Sequence, residues 1–417
     1  MKHLKRTARV MASLVGLVAL YLAGAVGYQA VAMTPDLPRD DAPRYGGWGP
    51  HGVGTRQAST GGSTPLGTTL WYPTDDPAGG DGPRTSYRYE MKWFVRTSVP
   101  VRAAGRAVRD APNAASLDER PVIVLSSGFA LPSAGYVWLA ERLASHGFLV
   151  VAPEHPERMD AALDGFWKGV IDRPRDLVEV LDWLDGEAAT GGTLAGVADP
   201  RRVAVVGHSL GGTTALALAG ARLDLDRFAG LCDEPAWRDG EQAFLCGLVL
   251  ADVDAMAARA DLPSAPTGRW PTLRDERVDA VVAMASDAFL FGPDGLASID
   301  VPLLAIGGTA DASAPFAWSS AWAFEHAAGP RAARAGLVGA GHMVFAGSCA
   351  AVPFYRAIGA GGFCSDAAWE MDRAHDAIAH LVTAFLRAEL GGEEDAARAL
   401  SEERVGLPGI DYRARGY

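Results

Sequence analysis

Positive charge is in short supply in this chain. Its 417 residues carry 38 Lys and Arg against 50 Asp and Glu, a formal net charge of −12. Lys2, Lys5, Arg6 and Arg9 all fall in the first 32 residues, which hold no acidic residue, and setting those four aside leaves −16 on the rest. Such a body repels phosphate backbones and anionic membrane surfaces, so nucleic acid is excluded as a partner. Internal repeats and coiled-coil heptads are absent as well. What is abundant is apolar: 49% of residues are hydrophobic, enough for one large buried core and too many for general disorder.

Cysteine is also scarce. There are four, all in the second half: Cys232, Cys246, Cys349 and Cys364. None forms a C-x-x-C pair and no histidine pair lies near, so a zinc site is not supported and no metal is expected. The cysteines fall into two local pairs, 232 with 246 and 349 with 364. In an oxidising compartment each pair would close a loop of roughly 15 residues, worth about 3 kcal/mol. Four cysteines allow three connectivities, so this pairing is an expectation.

Long apolar runs are lacking too, except at the start. Basic residues 1–9 precede an apolar stretch over 10–32 that ends in Ala30-Val31-Ala32, a small-x-small cleavage site. Residues 1–32 read as a signal peptide or an N-terminal membrane anchor. The run of about 20 residues could span a bilayer uncleaved and act as a tether, but Gly16, Gly24, Gly27 and Gln29 weaken that reading. Either way the body is exported: secreted or periplasmic, or anchored to the outer face of the cytoplasmic membrane.

Residues 33–65 are rich in Gly, Pro, Thr and Ser and read as a linker or extended arm. Thr68 to Pro73 reads as a strand, and 74–85 as a Gly/Asp/Pro loop. From Pro121 the pattern becomes regular. Val122-Ile123-Val124-Leu125, Phe148 to Ala152, Val203 to Val206, Ala280 to Ala285 and Leu303 to Ile306 are short apolar runs, as expected for strands buried on both faces. Helical patterns over about 133–146, 176–184, 213–221 and 366–390 alternate with them. The expected fold is α/β: a mostly parallel central sheet with helices on both faces. A catalytic domain over 66–392 is expected, with a small insertion or partial cap at 222–275 near the active site and a C-terminal tail at 393–417.

Gly207-His208-Ser209-Leu210-Gly211-Gly212 follows one of these strands directly and opens a small-residue helix. This is a G-x-S-x-G nucleophile elbow in the context that gives it meaning. Gly207 and Gly211 keep side chains away from the neighbouring strand and helix, and Ser209 projects at a helix N-terminus that favours developing negative charge. A serine needs a base, and the base an orienting carboxylate, in the chain order Ser, Asp, His. Asp311 ends the turn after 303–306, and His342 follows a short strand expected at Leu337-Val338-Gly339. The spacings, roughly a hundred residues and then about thirty, suit that order. Asp287 is the alternative acid, with Asp252 and Asp254 weaker. His326, His375 and His380 lie in helical patterns, and His155 and His208 read as structural. The oxyanion donors expected are the Leu210 amide and, from Ser126-Ser127-Gly128-Phe129-Ala130, the Phe129 amide.

On these residues the chain resembles the α/β-hydrolase superfamily, and within it bacterial dienelactone hydrolase-like proteins related to secreted platelet-activating-factor acetylhydrolase. The resemblance covers roughly residues 65–392. It rests on Pro121 to Pro156, on Arg173-Pro174-Arg175-Asp176-Leu177, on the elbow, on Gly308-Thr309-Ala310-Asp311 and on Gly341-His342. It implies the α/β-hydrolase fold and a Ser-Asp-His esterase with neither metal nor cofactor, with Ser209, Asp311 and His342 as the catalytic residues. Relatives carry Ser-His-Gly before the oxyanion turn where this chain has Ser126-Ser127-Gly128. True dienelactone hydrolases use a cysteine nucleophile, so their substrate is not carried over. The function expected is an exported, lipase-like serine esterase acting on small-molecule or lipid-like esters through an acyl-enzyme. Phe129, Trp138, Trp167, Phe316 and Trp318 lie near the expected loops and would favour an apolar acyl group or a polyester surface, with a place in the core the alternative reading for most of them. The alternatives are the same triad on amide or thioester bonds, or a non-catalytic binding protein of this fold.

Overall fold

The computed structural model describes residues 2–36, 38–61, 65–75, 85–91, 99–157 and 165–417. Most of the loop expected at 74–85 lies outside them. The strands are β1 (Gly52–Ser59), β2 (Gly67–Thr74), β3 (Ser86–Met91), β4 (Val99–Ala104), β5 (Val108–Arg109), β6 (Arg120–Ser126), β7 (Leu149–Pro153), β8 (Ala198–His208), β9 (Val278–Met284), β10 (Leu303–Gly308), β11 (Ala332–Leu337) and β12 (Ile410–Arg415). Ten of them form one sheet, in the order β12-β11-β10-β9-β8-β6-β7-β2-β1-β5, while β3 and β4 pair separately. From β11 to β7 every neighbour is parallel, and β2 joins β7 antiparallel.

Alternation along the strands explains the two covered faces. Ile123 and Leu125 of β6 and Ala204 and Val206 of β8 point to one side, where Leu139, Leu143, Ile378 and Phe385 pack. Val122, Val124, Val203 and Val205 point to the other, against Leu177, Leu181, Leu216 and Phe228. The helices behind these contacts are α2 (Val137–Ser145) and Met371–Gly391 on the first face, and α3 (Gly165–Ala188), α4 (Leu210–Leu218) and the insertion on the second. Each Val or Leu so buried contributes about 1.5–3 kcal/mol, which is why runs with no polar face become interior strands.

Two readings need correction. Residues 33–65 are not simply a linker: β1 pairs with β2 along its whole length, from Gly52 with Thr74 to Ser59 with Gly67. Before it, Tyr45 is buried and its amide donates to His380 Nδ1 at 3.2 Å. Residues 393–417 are not a tail, since β12 pairs antiparallel to β11, from Ala332 with Arg415 to Leu337 with Ile410. Two smaller differences also appear. α3 starts eleven residues earlier than the pattern suggested and carries Pro174 inside it. The strand before His342 ends at Leu337 instead of running on through Val338.

The insertion folds into α5 (Leu225–Asp233), α6 (Pro235–Arg238), α7 (Phe244–Val249) and α8 (Val253–Arg259), joined by a Cys232–Cys246 disulfide. Cys349 and Cys364 form the second disulfide, so both local pairs are present. The N-terminal helix α1 (Lys2–Ala32) docks near its end. Gln29 accepts from the Arg102 amide at 2.8 Å and donates to the Pro100 carbonyl at 3.1 Å. No helix of the described residues is long and apolar enough to cross a membrane.

Candidate active site

At the carboxyl end of β8 the chain reverses sharply at Ser209 into α4. Ser209 has φ 55° and ψ −125°, a region costly for a residue with a side chain. The turn survives because the backbones around it approach closely. A Cβ on Gly207 would lie 2.1 Å from the Gly211 carbonyl, and one on Gly211 would lie 2.1 Å from the Ser126 carbonyl. Only glycine fits at either position.

Two other strand ends bring the partners. Asp311 follows β10 and His342 follows β11. His342 Nε2 lies 2.9 Å from Ser209 Oγ, and His342 Nδ1 lies 2.7 Å from Asp311 Oδ2. The second Asp311 oxygen accepts from the Ser313 and Ala314 amides, both at 2.8 Å, so the carboxylate is fully engaged and its orientation fixed. Burial disfavours a charged His342. The Asp311 carboxylate, by charge and hydrogen bond, and the nearby Asp287 outweigh that and raise its pKa above the usual value.

The expected rivals go elsewhere. Asp287 accepts from the Thr213 hydroxyl at 3.0 Å and does not bond His342, and burial pushes its carboxyl up to about 6. Asp252 caps α8 through the Ala255 amide, and Asp254 lies in that helix's first turn. His326 sits in the last turn of the helix Ser320–His326. His375 stacks on Trp138 and bonds the Ala346 carbonyl, while His380 holds the Tyr45 amide. His155 forms a second chain, with Nε2 3.0 Å from Ser126 Oγ and Nδ1 2.8 Å from Asp176 Oδ2. Ser126 is wholly buried and is not among the residues that line the cavity at Ser209, so that chain braces the end of β6.

The turn after β6 carries the expected oxyanion donor. Neither the Phe129 amide nor the Leu210 amide donates to a protein acceptor among the described residues. The buried Arg173 guanidinium donates to the Ser127 carbonyl and, at 3.0 Å, to the Gly128 carbonyl. The Gly128 amide donates to Tyr136 Oη at 3.0 Å, and Tyr136 Oη lies 2.7 Å from His208 Nδ1. His208 Nε2 in turn lies 3.0 Å from the His342 carbonyl. Burial, and then the charge on His342, drive the His208 pKa well down, so its ring is neutral. A carbonyl can only accept, so Nε2 carries the hydrogen and the Tyr136 hydroxyl donates to Nδ1. One directed chain thus joins the turn after β6 to the backbone of His342. Sequence reasoning left Tyr136 unnoticed and gave His208 no such role, because their partners are remote in sequence. Arg173 was visible only as part of Arg173-Pro174-Arg175-Asp176.

Ser209 and His342 open on a cavity of about 350 Å³ lined by Phe129, Leu131, Phe166, Phe244, Leu245, Leu248, Asp287, Ser313, Met343 and Phe363. Three of these come from α7 of the insertion, and Phe363 is held next to the Cys349–Cys364 disulfide. Of the five aromatics expected near the site, only Phe129 lines it. Trp138 packs in the core, and Trp318 packs on Trp237. Trp167 packs at the edge of the second core, and Phe316 lies under Gly307 and Gly336.

As to metals, the described residues hold one group with ligand atoms within 4.8 Å of one another: Asp36, Asp372 and His375. The Arg142 guanidinium, 2.8 Å from both Asp36 and Asp376, already brings positive charge there. That group is separate from the serine cavity.

A mostly parallel sheet with a serine elbow at the end of a central strand defines the α/β-hydrolase fold. Residues 111–232 match a family model described as chlorophyllase. The chain is 33% identical over 138 residues to "Cutinase est1" of Thermobifida alba, covering 32% of this chain and 43% of that protein. It is 34% identical over 103 residues to "Cutinase 2" of Thermobifida cellulosilytica, 25% of this chain and 36% of that one. It is 30% identical over 129 residues to "Bis(hydroxyethyl) terephthalate hydrolase" of Streptomyces coelicolor (strain ATCC BAA-471 / A3(2) / M145), 31% of this chain and 38% of that one. The chain thus spans about two fifths of the length of the curated relatives it matches. These similarities support a relationship to the α/β-hydrolase serine esterases. The family-model match takes in the turn after β6 and Ser209 but stops short of Asp311 and His342.

Proposed function

We propose that this chain is an exported serine hydrolase that cleaves carboxylic esters. The observation that carries the reading is the hydrogen-bonded series Asp311, His342, Ser209 opening on an apolar cavity. His342 takes the Ser209 proton as Oγ attacks the ester carbonyl carbon. The resulting oxyanion accepts from the Phe129 and Leu210 amides. Collapse breaks the bond to the alcohol, which leaves with the proton from His342. Water, deprotonated by the same imidazole, then attacks the acyl-enzyme and releases the acid and free Ser209. Asp311 holds the imidazole in place and steadies the imidazolium.

The similarity to cutinases and to a bis(hydroxyethyl) terephthalate hydrolase supports ester bonds as the target. The aromatic and aliphatic lining supports an apolar acyl or aryl group, and about 350 Å³ is the lower end of the range for small-ligand pockets, roughly 300–1,000 Å³. Both disulfides suit an oxidising compartment. The test is turnover of p-nitrophenyl esters of increasing acyl length, each beside its amide and thioester, with Ser209→Ala as control. The reading expects hydrolysis of short to medium esters and a loss of about 10⁵ to 10⁶ in kcat for Ser209→Ala. Preference for the amide or thioester, or equal rates for the variant, would contradict it.

A further inference from the structure

We propose that Arg173 is a positioning residue that aims the oxyanion-binding amide of Phe129; the idea rests on the ester-hydrolase reading of the same site. Arg173 projects from α3, and its side chain is only 1% exposed. A guanidinium removed from water is costly unless its donors are used, so where they go is informative. Nη1 and Nη2 reach two successive carbonyls of the turn after β6, those of Ser127 and Gly128, and Glu157 supplies the countercharge.

The consequence follows from peptide geometry. No peptide bond among the described residues is cis. In a planar trans peptide the carbonyl and the amide of the next residue point in opposite directions. Holding the Gly128 carbonyl toward Arg173 therefore turns the Phe129 N–H away from it, and Phe129 lines the cavity beside Ser209. If that peptide turned over, a carbonyl oxygen would face the place where negative charge develops. The preceding peptide is gripped on both sides, with the Ser127 carbonyl on Arg173 and the Gly128 amide on Tyr136. Ala130, next in the turn, has φ 54°, a conformation non-glycine residues adopt only when their surroundings impose it.

The test compares wild type, R173K and the double variant R173M/E157Q, which removes the Glu157 carboxylate together with the guanidinium it pairs with. Each is assayed on p-nitrophenyl butyrate and against an alkyl trifluoromethyl ketone, whose serine adduct places an oxyanion in the same position. Loss of one oxyanion donor costs about 100- to 1,000-fold in kcat. The double variant should lose at least about 100-fold in kcat with KM within twofold, and its Ki for the ketone should rise by a matching factor. R173K, which cannot fork to both carbonyls in one plane, should fall between it and wild type on both measures. If the double variant does not fold, R173K alone decides. Wild-type kcat and Ki in R173K, or a kcat loss that Ki does not follow, overturns the proposal. A wild-type protein with no ester turnover would instead sink the esterase reading, whatever Arg173 does.

Discussion

Charge around one imidazole sets the acid limit of the proposed chemistry. His342 works as a base only when neutral. Burial favours that form, but Asp311 and Asp287 stabilise the imidazolium more and raise its pKa above 6.5. Activity should therefore climb with pH through a value above 6.5. Burial pushes the Asp287 carboxyl up to about 6, and its negative charge is one of the influences that raise His342. Asp287→Asn removes a negative neighbour, so the acid limb of kcat/KM should move to lower pH; an unmoved limb would mean Asp287 does not act on His342. The meeting of Ser209, His342 and Asp311 was legible in the sequence because each follows a strand and their order is constrained. Tyr136 and His208 were not, because no local pattern announces a hydrogen bond across 72 residues or one to a backbone carbonyl 134 residues away.

At the scale of elements, the interior strands were legible and the edges were not. β6, β8, β9 and β10 are apolar because both faces are covered. β1 has few large apolar residues and is held by backbone pairing to β2, while in β12 only Tyr412 is buried. The elbow is where elements meet most tightly. Gly211→Ala would place a methyl carbon 2.1 Å from the Ser126 carbonyl and 2.6 Å from the Ser127 carbonyl, forcing α4 away from the turn after β6. Ester turnover should drop at least about 100-fold, roughly the worth of one misplaced oxyanion donor, while the protein stays folded by circular dichroism. Near-normal turnover would show that the elbow tolerates the separation. The cavity wall depends on a different joint, the Cys232–Cys246 bridge between α5 and α7. A loop of 14 residues closed by a disulfide is worth about 3 kcal/mol. Replacing both cysteines by alanine should lower Tm by several degrees and raise KM for longer acyl esters more than for acetate. A uniform change across chain lengths would mean α7 does not shape the acyl site.

Across the whole molecule, the site is a product of topology. Ser209, Asp311 and His342 are scattered along the chain, yet parallel neighbours β8, β9, β10 and β11 deliver them to one rim. The alternation of apolar runs with helices was enough to foresee that rim. Apart from Phe129, the apolar cavity lining was beyond the sequence: Phe244, Leu245 and Leu248 come from the insertion and Phe363 from a disulfide-held loop, and their convergence depends on packing that no periodicity encodes. The central claim is that Ser209 carries the acyl group. Intact-protein and peptide mass spectrometry of the purified protein, quenched in acid during turnover of p-nitrophenyl butyrate, tests it directly. A butyryl mass on the peptide containing Ser209, absent from Ser209→Ala, is the predicted result; an acyl group on another residue, or turnover persisting in the variant, would contradict it.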